Sequence, residues 1–333
     1  MNLLGKKLNL ISTAVVVLLS ASAFGENETQ NETANRVPSS LVQISPHPLY
    51  YSPYAFVVDK KARTLTVWHQ DGGNLTSVAS FPADLGKFEG EKKSAGDRRT
   101  PNGVYFLQQK LEGASLNFNL YGKRAFTTDY PNFFDRIDGK TGNGIWLHAV
   151  PDTVALTRGS RGCVVVRNEV IMDLTQYVKL GKTPIIIQDE VELLDSAAAK
   201  ESSSQLSNLV EKWRSSWEAK DIESYIGFYG SAFRSMKMNR DQWKTYKNNL
   251  NASYKTLQVK FSRPVIYAYK NRAVVRFLQS YTSDQHSDFG EKVLYLAKEG
   301  DEYKIIGEEW QADNSQLAQE EFSADATKVS AAN

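Results

Sequence analysis

The sequence predicts two globular domains, a mainly β domain followed by an α+β domain. Residues 50–190 contain short runs of β-branched and aromatic residues bounded by turn residues, which is typical of strands. Residues 206–312 begin with apolar residues at three- and four-residue spacing and end with long alternating runs, which predict helices followed by half-buried strands. A polar stretch rich in Ala and Ser, 191–205, separates the two and is interpreted as a linker.

The first 25 residues predict a cleavable export signal. Lys6 and Lys7 precede an apolar run, 8–19, and small residues at 21–23 have the pattern of a cleavage site. The run is short for a membrane span, although a single membrane anchor is the competing interpretation. Residues 26–49 are rich in Asn, Glu, Thr, Ser and Pro and are interpreted as a flexible spacer. We therefore expect a mature chain in the periplasm that has no stable membrane insertion.

Six strands and one helix are predicted in the first domain. The strand candidates are Ala55–Asp59, Thr64–Trp68, Ser77–Pro82, Gly103–Gln108, Gly144–His148 and Thr183–Gln188. The helix is expected from Glu169 to Lys179, because Asn168 can cap its first turn and Gly181 can close its end. This excess of strands makes the first domain mainly β.

The second domain is predicted to place three helical stretches before its strands. The helical stretches are around Leu206–Trp217, Ile222–Tyr229 and Trp243–Leu250, and the strand candidates are Leu257–Phe261, Val265–Tyr269, Ala273–Tyr281, Lys292–Ala297 and Tyr303–Trp310. Gly300 marks a hairpin turn between the last two strands. Residues 313–333 are polar and Ala-rich again, so we interpret them as a loose tail.

Charge and cysteine content limit the possible functions. Forty basic and 38 acidic residues give a formal net charge of +2, and no long block of Lys or Arg occurs. The sequence therefore gives no reason to expect nucleic acid as a partner. The single cysteine leaves no partner for an internal disulfide, which is the ordinary use of cysteine outside the cytoplasm. Such a thiol is either a small buried hydrophobe or a reactive group.

The neighbours of that cysteine favour the reactive alternative. His148 ends a predicted strand, and Cys163 follows fifteen positions later, directly after Gly162. A thiol attacks carbonyls as the thiolate, and a neighbouring imidazole lowers its pKa and later protonates the leaving amine. Gly162 permits a tight turn, so that amides beside Cys163 can face a developing oxyanion. We therefore predict Cys163 as nucleophile, His148 as base and Gly162 in the oxyanion loop.

A metal site is less consistent with the sequence. One cysteine and one histidine do not supply the three or four ligands that zinc takes, and no carboxylate or second histidine lies at helical spacing from His148. His47, His69 and His286 stand alone among polar or alternating residues, which indicates surface or core positions.

Two landmarks in the first domain resemble the L,D-transpeptidase catalytic domain of the YkuD type. The first is the run Ser160–Val164 followed by Asn168, behind the strand that carries His148. The second is the run from Gly96 to Tyr105, which contains a Thr-Pro-x-Gly turn before a strand. The resemblance covers residues 50–190. It implies a β-sandwich with the active cysteine at the mouth of a cleft, peptidoglycan stem peptides as substrates and no cofactor.

The chain departs from that family at three places. Ala149 follows His148 where many members have glycine, and Arg161 stands where many have a second histidine. Val165 replaces an arginine that often follows the cysteine, while Arg167 stands two places further on. The candidates for contacting the substrate are accordingly Ser160, Arg161, Arg167 and Ala149.

The second domain, helices followed by a strongly alternating sheet, resembles the NTF2-like fold. Such folds form a cone with an apolar pocket, which Trp213, Trp217 and Tyr225 are candidates to line, although core positions are the alternative for these aromatic residues. A YkuD-type domain followed by an NTF2-like domain is similar to the cell-shape-determining L,D-carboxypeptidases. The resemblance implies a binding or positioning role for this domain on peptide or glycan.

The implied reaction is attack of the Cys163 thiolate on the carbonyl at the L-centre of the diamino acid in a tetrapeptide stem. Terminal D-alanine leaves and a thioester remains. Water as acceptor gives an L,D-carboxypeptidase, which the domain pairing favours. An amine as acceptor gives an L,D-transpeptidase that forms 3-3 crosslinks or attaches proteins to peptidoglycan. A non-catalytic wall-binding module is the alternative of another class.

Overall fold

A computed structural model of the chain describes residues 36–46 and 48–331. The predicted export signal, residues 26–35 of the predicted spacer, and His47 lie outside the described residues. None of the helices within the described ranges is long and apolar enough to cross a membrane.

Strands predominate in the described residues. The strands are, in chain order, β1 (Val37–Pro38), β2 (Tyr54–Asp59), β3 (Thr64–Asp71), β4 (Asn74–Pro82), β5 (Gly103–Glu112), β6 (Arg124–Thr128), β7 (Trp146–Val150), β8 (Val164–Arg167), β9 (Pro184–Gln188), β10 (Leu193–Leu194), β11 (Arg234–Ser235), β12 (Met238–Asn239), β13 (Leu257–Phe261), β14 (Val265–Tyr269), β15 (Arg272–Ser283), β16 (Ser287–Glu299) and β17 (Glu302–Ala312). The α-helices are α1 (Phe118–Tyr121), α2 (Phe133–Ile137), α3 (Asn168–Leu174), α4 (Ser196–Glu218), α5 (Ile222–Gly227), α6 (Arg240–Ser253) and α7 (Gln316–Ala331).

The first domain is built on one eight-stranded sheet. Its strand order is β4-β3-β2-β9-β5-β6-β7-β8, and the pairs β2/β9 and β7/β8 are parallel whereas the others are antiparallel. The sheet curls, so that its inner face and α3 enclose one apolar core. The prediction of a mainly β domain is confirmed. The sequence prediction missed β6 and β8, which are short and are the two neighbours of β7.

The three central strands of this sheet are buried on both faces. In β2, Phe56 and Val58 face the inner core, while Val57 lies in a separate cluster on the outer face. In β9, Ile186 lies in the same outer cluster between two residues of the inner core. Because successive side chains of a strand point to opposite faces, a strand covered on both sides has a continuous apolar sequence.

The second domain packs helices α4, α5 and α6 on a five-stranded antiparallel sheet. Its order is β13-β15-β16-β17, and β14 also pairs with β15. The core between the helices and the sheet contains Trp213, Phe233, Phe277 and Leu294, each fully buried. The predicted helices and strands of this domain are confirmed.

The prediction of a flexible spacer is wrong for the described part of 36–49. Strand β1 pairs with β10, and Gln43 exchanges backbone hydrogen bonds of 2.9 and 2.7 Å with Ile266 of the second domain. Leu41 and Ile44 are only 3% and 2% exposed. The polar composition of the segment gave no indication that Leu41 and Ile44 would be buried. Their burial fixes the segment against the rest of the protein.

The predicted loose tail and linker are also ordered over much of their length. Helix α7 begins at Gln316, and the Glu321 carboxylate accepts hydrogen bonds from Ser45 Oγ (3.0 Å) and the Tyr50 amide (2.9 Å). The linker contains β10 and the first turns of α4, whose N-cap is Asp195. Alanine and serine here belong to a helix with few large apolar residues, which is why the composition resembled a loop.

The two domains share a hydrophobic core. The outer face of the first sheet contributes Val57, Val104, Phe106 and Ile186, and the second domain contributes Val265, Tyr267, Val274, Leu278, Tyr295 and Ile306. Phe133 stacks on Tyr295 with ring centroids 4.3 Å apart, in a slot left open by Gly307. A Cβ at Gly307 would lie 2.2 Å from the Phe133 ring. The two domains therefore form one structural unit and are not independent domains joined by a flexible linker.

Two arginines of β15 make hydrogen bonds across this interface, and their side chains differ in burial. Arg276 is 8% exposed, holds Glu291 through Nε (2.9 Å) and donates from a second nitrogen to the Gly181 carbonyl (2.8 Å). Arg272 makes two 2.7 Å hydrogen bonds to Asp138, but its side chain is 34% exposed.

We expect Arg276→Ala to lower the free energy of unfolding by about 1.5–3 kcal/mol, because Glu291 would lose one of its two buried cationic partners and keep only Lys182. The matched control Arg272→Ala should cost no more than about 1 kcal/mol, since water solvates the remaining Asp138. Urea unfolding of both variants followed by tryptophan fluorescence measures the difference. Equal losses for the two variants would contradict this expectation.

Candidate active site

The parallel pairing of β7 with β8 brings the predicted nucleophile and base to one edge of the first sheet. His148 lies opposite Val165 in this ladder, and Leu147 lies opposite Val164. Cys163 immediately precedes β8, so it stands at the strand entrance beside the histidine strand. The prediction from sequence placed Cys163 in a loop that leads to a helix, whereas the structure inserts β8 between the cysteine and α3.

Both side chains border one cleft of about 740 Å³. Its wall also contains Ser160, Arg161 and Lys92. Tyr121, from α1, closes one side by an edge-to-face contact with His148 at 5.1 Å between ring centroids. The cleft is large enough to bury a short peptide segment. Nothing in the local sequence around Tyr121 pointed to this role, because α1 is only one turn long.

The tautomer of His148 follows from its hydrogen bond. Its Nδ1 lies 2.7 Å from the carbonyl oxygen of Ala149. A carbonyl oxygen can only accept, so Nδ1 carries a proton, and Nε2 of the neutral ring is left as the basic nitrogen. Burial lowers the pKa of His148 below 6.5, and the bond to Ala149 opposes that shift. At neutral pH the imidazole is therefore uncharged and can accept a proton.

Cys163 is a buried, protonated thiol in this state. The residue is 8% exposed, and its Sγ donates a long hydrogen bond of 3.5 Å to the Gly144 carbonyl. Burial raises the pKa of the thiol to about 11, against the opposing effects of a backbone hydrogen bond at Trp146 and the positive charge of Lys92. The lowering of the thiol pKa by a neighbouring imidazole, expected from the sequence, is outweighed here by burial. The thiol therefore has to lose its proton before it can attack a carbonyl as the thiolate.

The loop before Cys163 is held by its own side chains. Ser160 Oγ donates to the Cys163 carbonyl (2.8 Å) and accepts from the Gly162 amide (3.1 Å). The Gly162 N–H therefore has an acceptor within its own loop, and the predicted part of Gly162 in an oxyanion loop stays a prediction. Ser160 lines the cleft, but its hydroxyl fixes the nucleophile loop.

Gly162 is required by its backbone and by a close approach. Its φ is +128°, and a Cβ there would lie 2.7 Å from the Arg99 carbonyl oxygen. The Thr-Pro-x-Gly landmark and the cysteine landmark, far apart in sequence, thus pack directly against each other. Asp97 holds the first landmark in place by accepting from the Arg99 amide (3.1 Å) and Lys92 Nζ (2.8 Å).

Asp84 anchors the other end of the cysteine loop. It is 4% exposed, pairs with Arg63 (2.9 Å) and accepts the backbone N–H groups of Arg158 and Gly159, the latter at 2.9 Å. Its own backbone pairs with Val165. A single aspartate between two apolar residues, Ala83 and Leu85, gave no sequence signal for this function.

Three further predicted residues lie in different environments. Arg161 is exposed and lines the cleft, in keeping with a possible contact to substrate. Arg167 instead donates to the Val154 carbonyl (2.5 Å) and supports the loop beside the cleft. Ala149 is fully buried, and its contribution is the carbonyl that orients His148. Asn168 does not cap α3, because its Oδ1 accepts from the Lys123 amide (2.8 Å).

The aromatic residues predicted to line a pocket in the second domain belong to its core. Trp213 is fully buried, Tyr225 is 2% exposed and Trp217 is 6% exposed. Trp213 donates to the Tyr229 hydroxyl (3.1 Å), which in turn donates to Glu308 (2.7 Å). These rings are therefore not available as an open platform for a ligand.

The two other histidines that the structure describes lie away from the cleft. His69 stacks on Tyr54 at 4.5 Å, and His286 lies 3.1 Å from Asp288, so neither borders the cleft. Over the part of the chain that the structure describes, no group of three or more His, Cys, Asp or Glu residues is arranged to hold a metal ion.

Comparison with known proteins agrees with this geometry. Residues 53–187 match the L,D-transpeptidase catalytic domain family, YkuD, and residues 205–309 match the Cds6 C-terminal NTF2-like domain family. No curated protein sequence matches the chain.

Two solved structures resemble most of the chain. Bdellovibrio bacteriovorus Bd1075 is 46% identical over 84% of this chain and 100% of that chain, with a TM-score of 0.77. The helical cell-shape-determining protein Pgp2 from Campylobacter jejuni is 26% identical over 78% of this chain and 92% of that chain, with a TM-score of 0.66. The chain therefore belongs to the family in which a YkuD-type catalytic domain is followed by a Cds6-type NTF2-like domain, and it is an enzyme of the L,D-transpeptidase type.

Proposed function

We propose that this enzyme is a peptidoglycan-editing L,D-carboxypeptidase that removes terminal D-alanine from tetrapeptide stems. The observation that carries the proposal is a buried thiol in one cleft with a neutral histidine whose Nδ1 is occupied by the Ala149 carbonyl. The similarity to the cell-shape protein Pgp2 supports an effect on cell shape. Peptidoglycan as substrate supports a location outside the cytoplasm, and the export signal expected from the sequence supports the proposal of the periplasm.

In the proposed reaction, His148 Nε2 takes the proton of the Cys163 thiol as sulfur attacks the carbonyl carbon at the L-centre of the diamino acid. A C–S bond forms and the amide C–N bond to D-alanine breaks, with the proton passing from His148 to the leaving amine. Water then attacks the thioester with His148 as base. The products are a tripeptide stem, free D-alanine and the regenerated thiol.

Water and a second stem compete for the same thioester. An amine acceptor would give a 3-3 crosslink, or a protein attached to the wall, through the same two catalytic residues. Hydrolysis is favoured because a YkuD-type domain followed by an NTF2-like domain resembles the cell-shape-determining L,D-carboxypeptidases. The similarity of the chain to a protein that determines helical cell shape points in the same direction.

Incubation of the full-length enzyme with purified sacculi, followed by mass analysis of the muropeptides, tests the proposal. Loss of tetrapeptides with a matching gain of tripeptides is expected. New 3-3 dimers in place of tripeptides would establish transpeptidation instead. No change in either pool, together with retained binding to sacculi, would identify a non-catalytic wall-binding protein.

The pH dependence should follow His148. Because burial lowers its pKa below 6.5, the basic form persists at pH 6.5 and is lost only as the pH falls through the lower folded value. We expect kcat/KM on a soluble tetrapeptide muropeptide to fall as the pH is lowered, with the midpoint of this acidic limb below pH 6.5. An acidic limb with its midpoint above pH 7 would contradict a buried neutral base.

We further propose that the second domain positions the enzyme on the wall. Its buried tryptophans cannot bind a sugar face, but Trp310 on β17 is 36% exposed and borders a second cavity between the domains. An exposed indole offers a large contact area to a sugar ring. Trp310→Ala should therefore slow the reaction on sacculi and leave soluble muropeptides unaffected. An equal effect on both substrates would exclude this positioning role for Trp310.

A further inference from the structure

The catalytic cleft contains few charges that can act on the nucleophile. The titratable groups on its wall, besides Cys163, are Asp84, Lys92, Arg98, Tyr121, His148 and Arg161. Asp84 is neutralised by Arg63 and two backbone N–H groups. Arg98 and Arg161 are exposed, so water screens their charges. His148 is uncharged at neutral pH because of its burial.

Lys92 differs from the other cations of the cleft in being buried. It is 3% exposed, and its ammonium donates to Asp97 Oδ1 (2.8 Å) and the Ser94 carbonyl (3.0 Å). Asp97 also accepts the backbone amides of Lys93 (2.8 Å) and Ser94 (3.0 Å). A buried charge held in this way acts through a medium of low dielectric constant, where its field is stronger than at the surface.

The position of this ion pair is fixed relative to the nucleophile. Asp97 holds the Arg99 amide (3.1 Å), and the Arg99 carbonyl packs against Gly162, the residue before Cys163. On the other side, the Lys93 carbonyl accepts from the Thr141 amide (3.0 Å), and Thr141 Oγ1 accepts from Ala95 (3.1 Å). The loop that bears Lys92 is therefore tied to the cysteine loop and to the segment before β7.

We propose that Lys92 is the residue that stabilises the thiolate of Cys163 electrostatically while Asp97 holds its ammonium in place. Lys92 acts through Cys163 and is a positioning residue that makes no contact with substrate. The inference rests on the proposed function, because it assumes that Cys163 is the nucleophile. A stabilising positive charge is needed at this site. Burial of the thiol opposes formation of the thiolate, and His148 carries no charge that would favour it.

The test is the pH dependence of alkylation of Cys163 by iodoacetamide in the full-length chain. The thiolate is the reacting form, so the rate at a fixed pH reports the thiolate population. We expect Lys92→Met to slow alkylation at pH 8 by about tenfold, the change that one unit in the thiol pKa produces. Lys92→Arg, which retains the charge, should restore most of the rate. Lys93→Met removes an exposed charge one residue away and should leave the profile unchanged.

A variant with the opposite expected effect separates electrostatics from loss of structure. Asp97→Asn keeps the Lys92 charge and removes the compensating carboxylate, so alkylation should become faster at the same pH. Loosening of the loop would change the limiting rate at high pH, whereas the electrostatic effect shifts the pH of the half-maximal rate, upward in Lys92→Met and downward in Asp97→Asn. Equal profiles for Lys92→Met, Lys93→Met and the unchanged protein would overturn the proposal. So would slowing in both Lys92→Met and Asp97→Asn.

The alkylation readout needs no wall substrate, so it separates this inference from the proposed function. If alkylated enzyme still trims muropeptides, Cys163 is not the nucleophile and the proposed function fails. If alkylation abolishes trimming but Lys92→Met alters KM for the muropeptide and not the alkylation profile, Lys92 binds substrate and the thiolate proposal is overturned. A parallel loss of kcat and of alkylation rate in Lys92→Met, with KM unchanged, is the expected result.

Discussion

Replacement of Cys163 by alanine is expected to abolish turnover on peptidoglycan and to leave the fold intact. Without sulfur no thioester forms, and loss of a nucleophile in comparable enzymes lowers kcat on the order of 10⁴-fold or more. The side chain contributes little packing beyond one sulfur atom at the cleft wall, so the cost in unfolding free energy should be about 1 kcal/mol.

The measurement is release of D-alanine from purified muropeptides, with thermal unfolding of the same samples as the control for folding. His148→Ala is the matched comparison, because it retains the nucleophile and removes the base. Its activity should fall about 100- to 10,000-fold, less than for the loss of sulfur. Wild-type activity of Cys163→Ala on sacculi would refute the assignment of the nucleophile.

This pair of residues was predictable from sequence because its geometry is nearly local. A histidine in one strand and a cysteine directly before the parallel neighbour are brought to the same sheet edge by one strand pairing, β7 with β8. The need for glycine before the cysteine was also visible in the sequence. Only glycine tolerates both a φ of +128° and the close approach of the Arg99 carbonyl.

The residues that support the pair could not be predicted in the same way. Asp84 acts through contacts to Arg158 and Gly159, which are distant in sequence, and no spacing rule links them. Lys92 stands in a polar stretch, where a lysine resembles any solvated charge. The hydrogen bond of the Gly162 amide to Ser160 was equally hidden. Its acceptor is a rotatable hydroxyl, and no spacing rule fixes where such a group points.

The segments outside the domain cores were misjudged for a related reason. Amino-acid composition gives only the average polarity of a segment. Residues 36–46 are ordered because two individual side chains, Leu41 and Ile44, are buried. Helix α7 similarly has Ala318 fully buried and Glu321 at 2% exposure within an otherwise polar sequence. A few tertiary contacts therefore decide the structure of segments whose average composition is that of a loop.

Truncation after Asp195 is expected to leave a catalytic domain that does not fold on its own. Cutting there removes α4 to α7 and β11 to β17, and with them the second half of the shared core. Val57, Val104, Phe106 and Ile186 would then face water from the central strands of the first sheet. This expectation replaces the independent domain that a flexible linker would have implied.

The magnitude of the lost burial supports that outcome. Full burial of a Val, Ile or Phe side chain contributes roughly 1.5–3 kcal/mol, so four such residues amount to roughly 6–12 kcal/mol. A natural domain is stable by only about 5–15 kcal/mol. Truncation also removes Glu291, whose carboxylate lies 2.7 Å from Lys182 Nζ. Lys182 would therefore lose its ion-pair partner, which lowers the stability further.

The experiment compares two proteins that are cut at the same peptide bond. In the truncation, the chain ends at Asp195. In the control, a protease site is inserted after Asp195 and cleaved once the full chain has folded, so that the second domain remains bound through the shared core. We expect the truncated chain to lack a cooperative thermal transition and near-ultraviolet circular dichroism, and the nicked protein to keep both and to retain D-alanine release. A truncated chain with the same transition as the nicked protein would show that the interface is not required for folding. The second domain would then have to contribute to activity through contact with the wall alone.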